Sequence, residues 1–409
     1  MSHLGVIAGD ARPVEELAAV IDPSRAPTPQ QRAIIGADLS PTLVVAGAGS
    51  GKTETLSMRM VYLLDHAERL FGRAISPEEI LCLTFTRKAA AEIAVRADER
   101  IERVFGADPE RAAPAVATYN GYAAALVAEH GLRLAIDPDS TMLTNAALWQ
   151  MAATIVEEWT GSIEVDAAVS SVIRAIPRLS AQLGDHQCSV DQLRAWAHEA
   201  VEFVEQLPKK QGDPHPGDMT QAVKKQTAKF GSLVALADVV EAFQARKRDG
   251  SFLDFSDQVA GAVELSRIPA VQAIERSRYR VVLLDEFQDT SPGQLQLFAH
   301  MFGADHPVMA VGDPHQAIYG FRGASASALS TFLEEFGGAG VVREASLAVS
   351  WRNESSILEV ANSAAAPLRE RSAVHVEPLR SKGQELGIQE PRRVSAGVSG
   401  HYFTDLRAE

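Results

Sequence analysis

TLVVAGAGSGKT, residues 42–53, decides how the chain around it folds. Leu43, Val44 and Val45 form a β-branched apolar run of the kind that makes a buried parallel strand. Ala46, Gly47, Ala48 and Gly49 are small enough for a tight turn, and Ser50-Gly51-Lys52-Thr53 opens a helix. Strand, glycine-rich turn and helix in that order make a phosphate-binding loop. Backbone N–H groups freed by glycine face inward, and the helix N-terminus adds its positive dipole end. Lys52 then reaches the β- and γ-phosphates of a nucleotide, and the Thr53 hydroxyl is placed to ligate Mg²⁺. Ala46 stands where the strict pattern has glycine, so the match is to the relaxed form. The plainer alternative is a chance strand–glycine–helix turn; three signals in register favour the loop.

The remaining composition sets bounds. A chain of 409 residues exceeds what one hydrophobic core normally serves, so two or three domains are expected. With 46% hydrophobic and 22% charged residues it has an ordinary globular composition. Its two cysteines, Cys82 and Cys188, exclude a disulfide framework and a cysteine-based zinc site, and fit a reducing compartment. Asp10, Glu15 and Glu16 interrupt the N-terminus, so no signal sequence is read there. No run approaches the ~18 apolar residues of a membrane span, and a cytoplasmic location without a membrane partner is expected. The net charge of −14 argues against coating nucleic acid by bulk attraction, yet leaves room for a narrow basic or aromatic groove.

Residues 1–26 carry no strong motif and are expected to form a partly ordered leader. Thr28 as N-cap with Pro29 at the first helical position starts a helix through Ala33, Ile34 and Ile35. Within it, the Gln31 amide offers both a donor and an acceptor suited to an adenine edge. After the loop a helix runs to about Glu68. Ile80–Phe85 is a second buried strand, ending in Thr86-Arg87-Lys88 ahead of an alanine-rich helix, and Val116–Thr118 a third. Polar residues at the C-terminal ends of parallel strands lie where α/β sheets bind ligands.

Between about Gly131 and Gly250 helical stretches dominate: 148–159, 169–183, 190–207 and 233–248. A turn-rich segment, Pro208–Lys229, is expected between the last two. Its Lys209, Lys210, Lys224, Lys225 and Lys229 read as a solvated loop in preference to a nucleic-acid contact. Strands return at 281–284, at 308–311 and near Val341, and a helix follows from Glu354 to about Ala365. The tail from Pro367 has weak periodicity.

Val281–Leu284 ends in adjacent carboxylates, Asp285 and Glu286. Alone, such a pair is usually a solvated turn. Downstream of Lys52 and Thr53 it acquires a mechanism, with Asp285 holding Mg²⁺ and Glu286 polarising the water that attacks the γ-phosphate. Gln316 follows a buried strand through a tight turn and is placed to sense that phosphate. Tyr319, Phe321 and Arg322 come next; aromatics beside arginine suit base stacking, and core packing is the alternative.

The ordered set PTPQQRAI, AGAGSGKT, LTFTRKAAAEI, ATYNGYAAALVAEHGL, LLDEFQDTSPGQ, VGDPHQAIYGFRGA and SWRN resembles the UvrD/Rep-type superfamily 1 DNA helicases, from about Ala26 to Leu368. GAGSGKTETL, VAEHGL and FLDFSDQ look closest to the AdnA/AdnB helicase–nuclease subunits, which are RecB-like. The resemblance implies an α/β fold: a RecA-like parallel sheet (motor domain 1A, residues 27–130 and 251–342), a mostly helical insertion (1B, 131–250) and an incomplete second RecA-like domain (2A, 343–409). It implies ATP and Mg²⁺ as ligands, single-stranded and duplex DNA as partners, a second helicase–nuclease subunit as a further partner, and 3′-to-5′ movement in repair or recombination. It assigns adenine recognition to Gln31, a γ-phosphate contact to Arg352 and adenine stacking to Trp351. It places Phe85, Thr86, Tyr119, Asn120, Tyr319, Phe321 and Arg322 along the DNA track.

Several positions depart from the family pattern. Glu54 stands where relatives often carry arginine after the lysine–threonine pair, Asn120 where a histidine is expected, and Phe321 where the family has tryptophan. Two later blocks, one ending in Lys-Gly-Leu-Glu and one carrying a second arginine finger, are not found. Ser381–Leu386 resembles the first but is read as coincidence, with no preceding strand. An N-terminal helicase portion with weak or no autonomous unwinding is therefore expected. The alternative is a nucleotide-responsive DNA-binding or partner subunit without turnover. A small-molecule kinase would share the loop but leaves the QDT and GDPHQAIYGFRGA blocks unexplained.

Overall fold

The computed structural model describes residues 11–161, 163, 165, 167–206, 221–303, 306–318, 320, 327–337 and 342–387. They fall into two compact units, one comprising the described residues up to 119, 269–291 and from 298 onward, the other 120–268 and 292–297.

The first unit begins with α1 (Val14–Ile21), which lies inside the region expected to be a leader. Its Val14, Leu17, Ala18 and Ile21 are buried in the main core, and Arg12 pairs with buried Asp65 at 2.6 Å. The spacing i, i+3, i+4, i+7 was present in the sequence, but one short stripe beside a motif-free terminus is a weak signal. α2 (Pro29–Ile35) starts as expected. Thr28 Oγ1 accepts from the Gln31 N–H at 3.1 Å, and Gln31 Oε1 accepts from the Thr28 N–H at 3.0 Å, closing a capping box. β1 (Thr42–Ala46) is fully buried and feeds α3 (Lys52–Asp65), which is followed by α4 (Ala67–Phe71). β2 (Ile80–Thr84), α5 (Arg87–Phe105) and β3 (Ala115–Thr118) complete the first half of the sheet.

The helical unit contains most of α6 (Tyr119–His130), the short strand β4 (Thr141–Met142), α7 (Asn145–Glu158), α8 (Val169–Asp185), α9 (Val190–Gln206), α10 (Gln221–Asp249), the short strand β5 (Phe252–Leu253) and α11 (Phe255–Ser266). Leu148, Ile155, Ile173, Ile176, Val239 and Phe243 form its core. Lys224, Lys225 and Lys229 sit on α10, not in the expected turn; Lys209 and Lys210 lie outside the described residues. The unit is wider than 131–250 because α11 packs on α8 and on the turn at 131–134.

The chain returns through α12 (Pro269–Arg278), β6 (Val281–Leu284), α13 (Pro292–Phe302), β7 (Val308–Gly312) and α14 (Ala328–Glu335). β8 (Arg343–Leu347) then pairs in parallel with β1. Residues 343–347 thus belong to the main sheet, where the start of a second domain was expected. Among the described residues that sheet has six parallel strands in the order β3-β2-β6-β7-β1-β8. Central β1, β2, β6 and β7 are apolar on both faces, as parallel sheets require. β9 (Val349–Ser350), α15 (Ser355–Glu370), β10 (Arg380–Ser381) and α16 (Lys382–Leu386) follow, and β10 pairs in parallel with β9. α15 continues through Pro367 beyond its expected end at Ala365.

Candidate nucleotide site

β1 ends at Ala46, and the residues up to Gly51 turn the chain into α3. Two glycines here have left-handed backbones, Gly49 with φ +74° and Gly51 with φ +83°. Neighbouring side chains would have to shift to admit a Cβ as well. A Cβ at Gly49 would lie 2.9 Å from Arg352 Cβ and 3.0 Å from Ser350 Oγ, and one at Gly51 would lie 2.9 Å from Gln31 Nε2. Ser50 is buried, and its hydroxyl has no hydrogen-bond partner. Lys52 and Thr53 form the first turn of α3, so cradle, ammonium and hydroxyl share one helix terminus.

Two strands away, β6 delivers the carboxylates. Asp285 is 3% exposed; its Oδ2 accepts from Thr84 Oγ1 at 3.1 Å, and its Oδ1 has no partner. Burial, reinforced by the neighbouring Glu286 carboxylate, pushes its pKa up to about 6 against the pull of Lys52 and Thr84. The same two causes raise Asp289 to about 6. Glu286 adopts φ 50°, ψ 42°, a left-handed conformation unusual for a side chain of its size, which turns its carboxylate toward Lys52 Nζ at 2.7 Å. Gln288 Nε2 donates to Glu286 Oε2 at 2.8 Å, while Gln288 Oε1 accepts from the Asp313 N–H at 3.0 Å. Asp313 Oδ2 in turn accepts from Gln316 Nε2 at 2.6 Å. An unbroken chain of hydrogen bonds therefore joins Glu286 to Gln316.

On the other side of the loop lies a cavity of about 480 Å³ whose lining includes Gln31, Gly51, Glu54, Met58, Trp351 and Lys382. The Gln31 Oε1 serves the capping box, while its Nε2 lies against Gly51. The Trp351 backbone N–H donates to the Gly49 carbonyl at 2.9 Å, tying the chain at Trp351 to the loop. Lys382 Nζ sits 5.1 Å from the Trp351 ring centroid. Ser381–Leu386 is thus preceded by a strand, contrary to expectation; β10 is two residues long, too short to show any period. Glu54, the departure from family pattern, pairs with Arg100 of α5 at 2.6 Å.

The other expected residues are distributed as follows. Gln316 is half-buried and shares a cavity of about 210 Å³ with Gly47 and Ala48. Arg352 is exposed, its Cβ close to Gly49. Phe85 is half-buried. Thr86 is exposed, its hydroxyl capping α5 by accepting from the Ala89 N–H. Tyr119, expected along a DNA track, is 1% exposed: its ring packs edge-on to Phe298 and its hydroxyl donates to the Asp285 carbonyl at 2.7 Å. It therefore supports the carboxylate strand end and does not present a stacking face. Asn120 is exposed in the helical unit, with Oδ1 accepting from Gln294. Tyr319, Phe321 and Arg322 lie outside the described residues. Sequence reading missed Gln288, Arg100 and Lys382. Gln288 had a signal, its place two residues after Glu286; the other two come from distant elements.

The site fits a polyphosphate with a divalent cation. Glycines let the backbone turn tightly here, and the unpartnered buried Ser50 hydroxyl and Asp285 Oδ1 are left with unmet hydrogen-bonding demand. Thr53 and Asp285 offer hard oxygen donors of the kind Mg²⁺ takes.

Residues 27–337 match the model of the UvrD/REP helicase N-terminal domain. Among curated proteins, the ATP-dependent DNA helicase UvrD1 of Mycobacterium tuberculosis (strain CDC 1551 / Oshkosh) is 30% identical over 348 residues, covering 83% of this chain and 39% of the relative. DNA helicase II of Escherichia coli (strain K12) is 28% identical over 334 residues, 81% of this chain and 39% of the relative. The helicase PcrA of Staphylococcus aureus (strain Mu50 / ATCC 700699) is 24% identical over 351 residues, 86% and 41% respectively. The chain spans about two fifths of the length of these relatives. Its six-stranded parallel sheet, its glycine loop and a domain match covering most of its length agree on one assignment: this chain belongs to the UvrD/Rep helicase family.

Proposed function

We propose that this chain carries the ATP-hydrolysing site of a DNA-translocating motor that moves 3′ to 5′ on single-stranded DNA. The observation that carries the reading is the junction of loop and carboxylates: Lys52 Nζ at 2.7 Å from Glu286, beside a buried Asp285 whose Oδ1 is unpartnered. The printed names of the relatives, ATP-dependent DNA helicases, supply the reaction class. The polarity rests on the resemblance of the ordered sequence blocks.

In this reading the N–H groups from Gly49 to Thr53 and the Lys52 ammonium hold the β- and γ-phosphates. Thr53 and Asp285 hold Mg²⁺, which when bound neutralises charge building on the transferred phosphoryl oxygens. Lys52 exchanges its Glu286 partner for phosphate oxygen. Glu286, freed on that side but still hydrogen-bonded to Gln288, orients the attacking water and takes its proton. Gln316 is sensitive to the γ-phosphate through Asp313 and Gln288, so that hydrolysis changes the turn that leads into Tyr319, Phe321 and Arg322. Gln31 and Trp351 receive the base, Arg352 approaches the phosphates from beyond β9, and Phe85 and Thr86 contact the strand.

Purified protein should bind Mg²⁺-ATP by calorimetry and release phosphate faster when single-stranded DNA is added. Glu286→Gln should retain binding while turnover falls by about 10²–10⁴-fold. Nucleotide binding without DNA-stimulated turnover would favour a nucleotide-responsive DNA-binding subunit; absence of binding would refute the site itself.

A further inference from the structure

We propose that Glu54, held in place by Arg100, reads the nucleoside by accepting a hydrogen bond from one of its donor groups, a ribose hydroxyl or an exocyclic amine. The inference rests on the ATP site just proposed. Glu54 is the third residue of α3, and its side chain belongs to the same small neighbourhood as the base-binding groups. Measured from the Cβ position of Gly51, Gln31 Nε2 lies at 2.9 Å, Glu54 Cβ at 3.6 Å and Trp351 Cδ1 at 4.0 Å. All three side chains line the cavity of about 480 Å³.

A glutamate in the first turn of a helix has an ordinary explanation, since it complements the helix dipole. That role needs no fixed rotamer and no partner. Here the chain supplies one. Arg100 is 8% exposed and donates to Glu54 Oε2 at 2.6 Å, to the Glu54 carbonyl at 3.1 Å and to Ser57 Oγ at 2.5 Å. The guanidinium fixes one carboxylate oxygen and cancels the charge that would otherwise oppose phosphates at the same helix terminus. The Glu54 side chain remains 35% exposed, and the residue lines the cavity.

The chemistry of the pocket is then asymmetric. Gln31 Oε1 is committed to the Thr28 N–H, so Gln31 offers chiefly its Nε2 donor, while Glu54 offers only acceptors. A ligand that satisfies both must present an acceptor and a donor. Adenine with its ring nitrogen and amine does so, and so does adenine's ring nitrogen together with a ribose hydroxyl.

The test measures equilibrium binding by displacement of a fluorescent ATP analogue, using ATP, 2′-deoxy-ATP, 3′-deoxy-ATP and purine riboside triphosphate, which lacks the amine. The analogue missing the contacted group should bind about 10- to 100-fold more weakly than ATP to the unaltered protein, the loss expected for a hydrogen bond to a charged acceptor. Which analogue shows the loss identifies the donor. Glu54→Ala should close that gap, Arg100→Met should narrow it, and Arg100→Lys should restore part of it, marking Arg100 as a positioning residue. The inference is overturned if all four ligands bind the unaltered protein within about twofold, or if Glu54→Ala weakens them all alike. ATP binding without discrimination would leave the proposed function standing; no ATP binding at all would overturn both.

Discussion

Asp285 folds at a cost that the proposed Mg²⁺ would relieve. Its ordinary pKa of 3.8 rises to about 6, first through burial and then through Glu286. Below pH 3.8 folded and unfolded chains are both protonated at this group. Between there and about pH 6 the unfolded chain alone loses the proton, and above it the folded state bears roughly 3 kcal/mol of penalty. Asp285→Asn should therefore raise the melting temperature of metal-free protein at pH 7.5, have little effect near pH 4, and remove the stabilisation by Mg²⁺. Thermal scans in chelator and in Mg²⁺ at both pH values decide it; a destabilised Asn variant at pH 7.5 in chelator would refute the argument. Gln288 gives a second case. It bridges Glu286 and Asp313, so Gln288→Ala should leave Mg²⁺-ATP affinity unchanged and slow DNA-stimulated phosphate release by about 10- to 100-fold. Lys52, Asp285 and Glu286 were legible because strand, turn and carboxylate pair follow one another along the chain. Arg100 was not, since its partner Glu54 stands 46 residues away and only packing brings α5 beside α3.

At the level of elements, the proposed role of Gln31 would make α2 couple helix stability to base recognition. Thr28→Ala removes one half of the capping box, and about 1 kcal/mol of stability should be lost in urea titrations. The freed Gln31 side chain should also discriminate less between ATP and GTP in competition binding, an effect that Thr28→Ser should reverse. The helix is held at its other end by Arg59, which donates to the carbonyls of Ile35, Ala37 and Asp38, burial having pulled its pKa down to about 10. α1 is equally integral: Leu17 is fully buried, and Leu17→Ala should cost about 2–5 kcal/mol by chemical denaturation. The central strands were readable as β-branched runs between small-residue turns, and α2 as a cap followed by proline. α1 was obscured by its brevity, the first turns of α10 by their lysines, and β10 by having two residues. α1 forms because neighbours bury its apolar stripe, which is information that its own segment does not hold.

For the whole molecule, the two units should respond differently to nucleotide. Every residue of the proposed site lies in the unit that holds the parallel sheet. Mg²⁺-ATP at about 100 times its dissociation constant should stabilise that unit by roughly 2.7 kcal/mol through mass action. Hydrogen exchange should then slow in β1, α3, β6 and β7, with α8, α9 and α10 unchanged; equal protection in both units would refute this. The sheet unit also contains an opposing demand. The left-handed backbone of Glu286 costs of order 1 kcal/mol that glycine would not incur, and its carboxylate disfavours ionised Asp285 and Asp289. Glu286→Gly relieves both, while giving up the Lys52 ion pair and the Gln288 hydrogen bond. If Glu286 has the role proposed for it, a laboratory evolution campaign that rewards heat resistance alone places no demand on this glutamate, and its survival there would report selection on turnover.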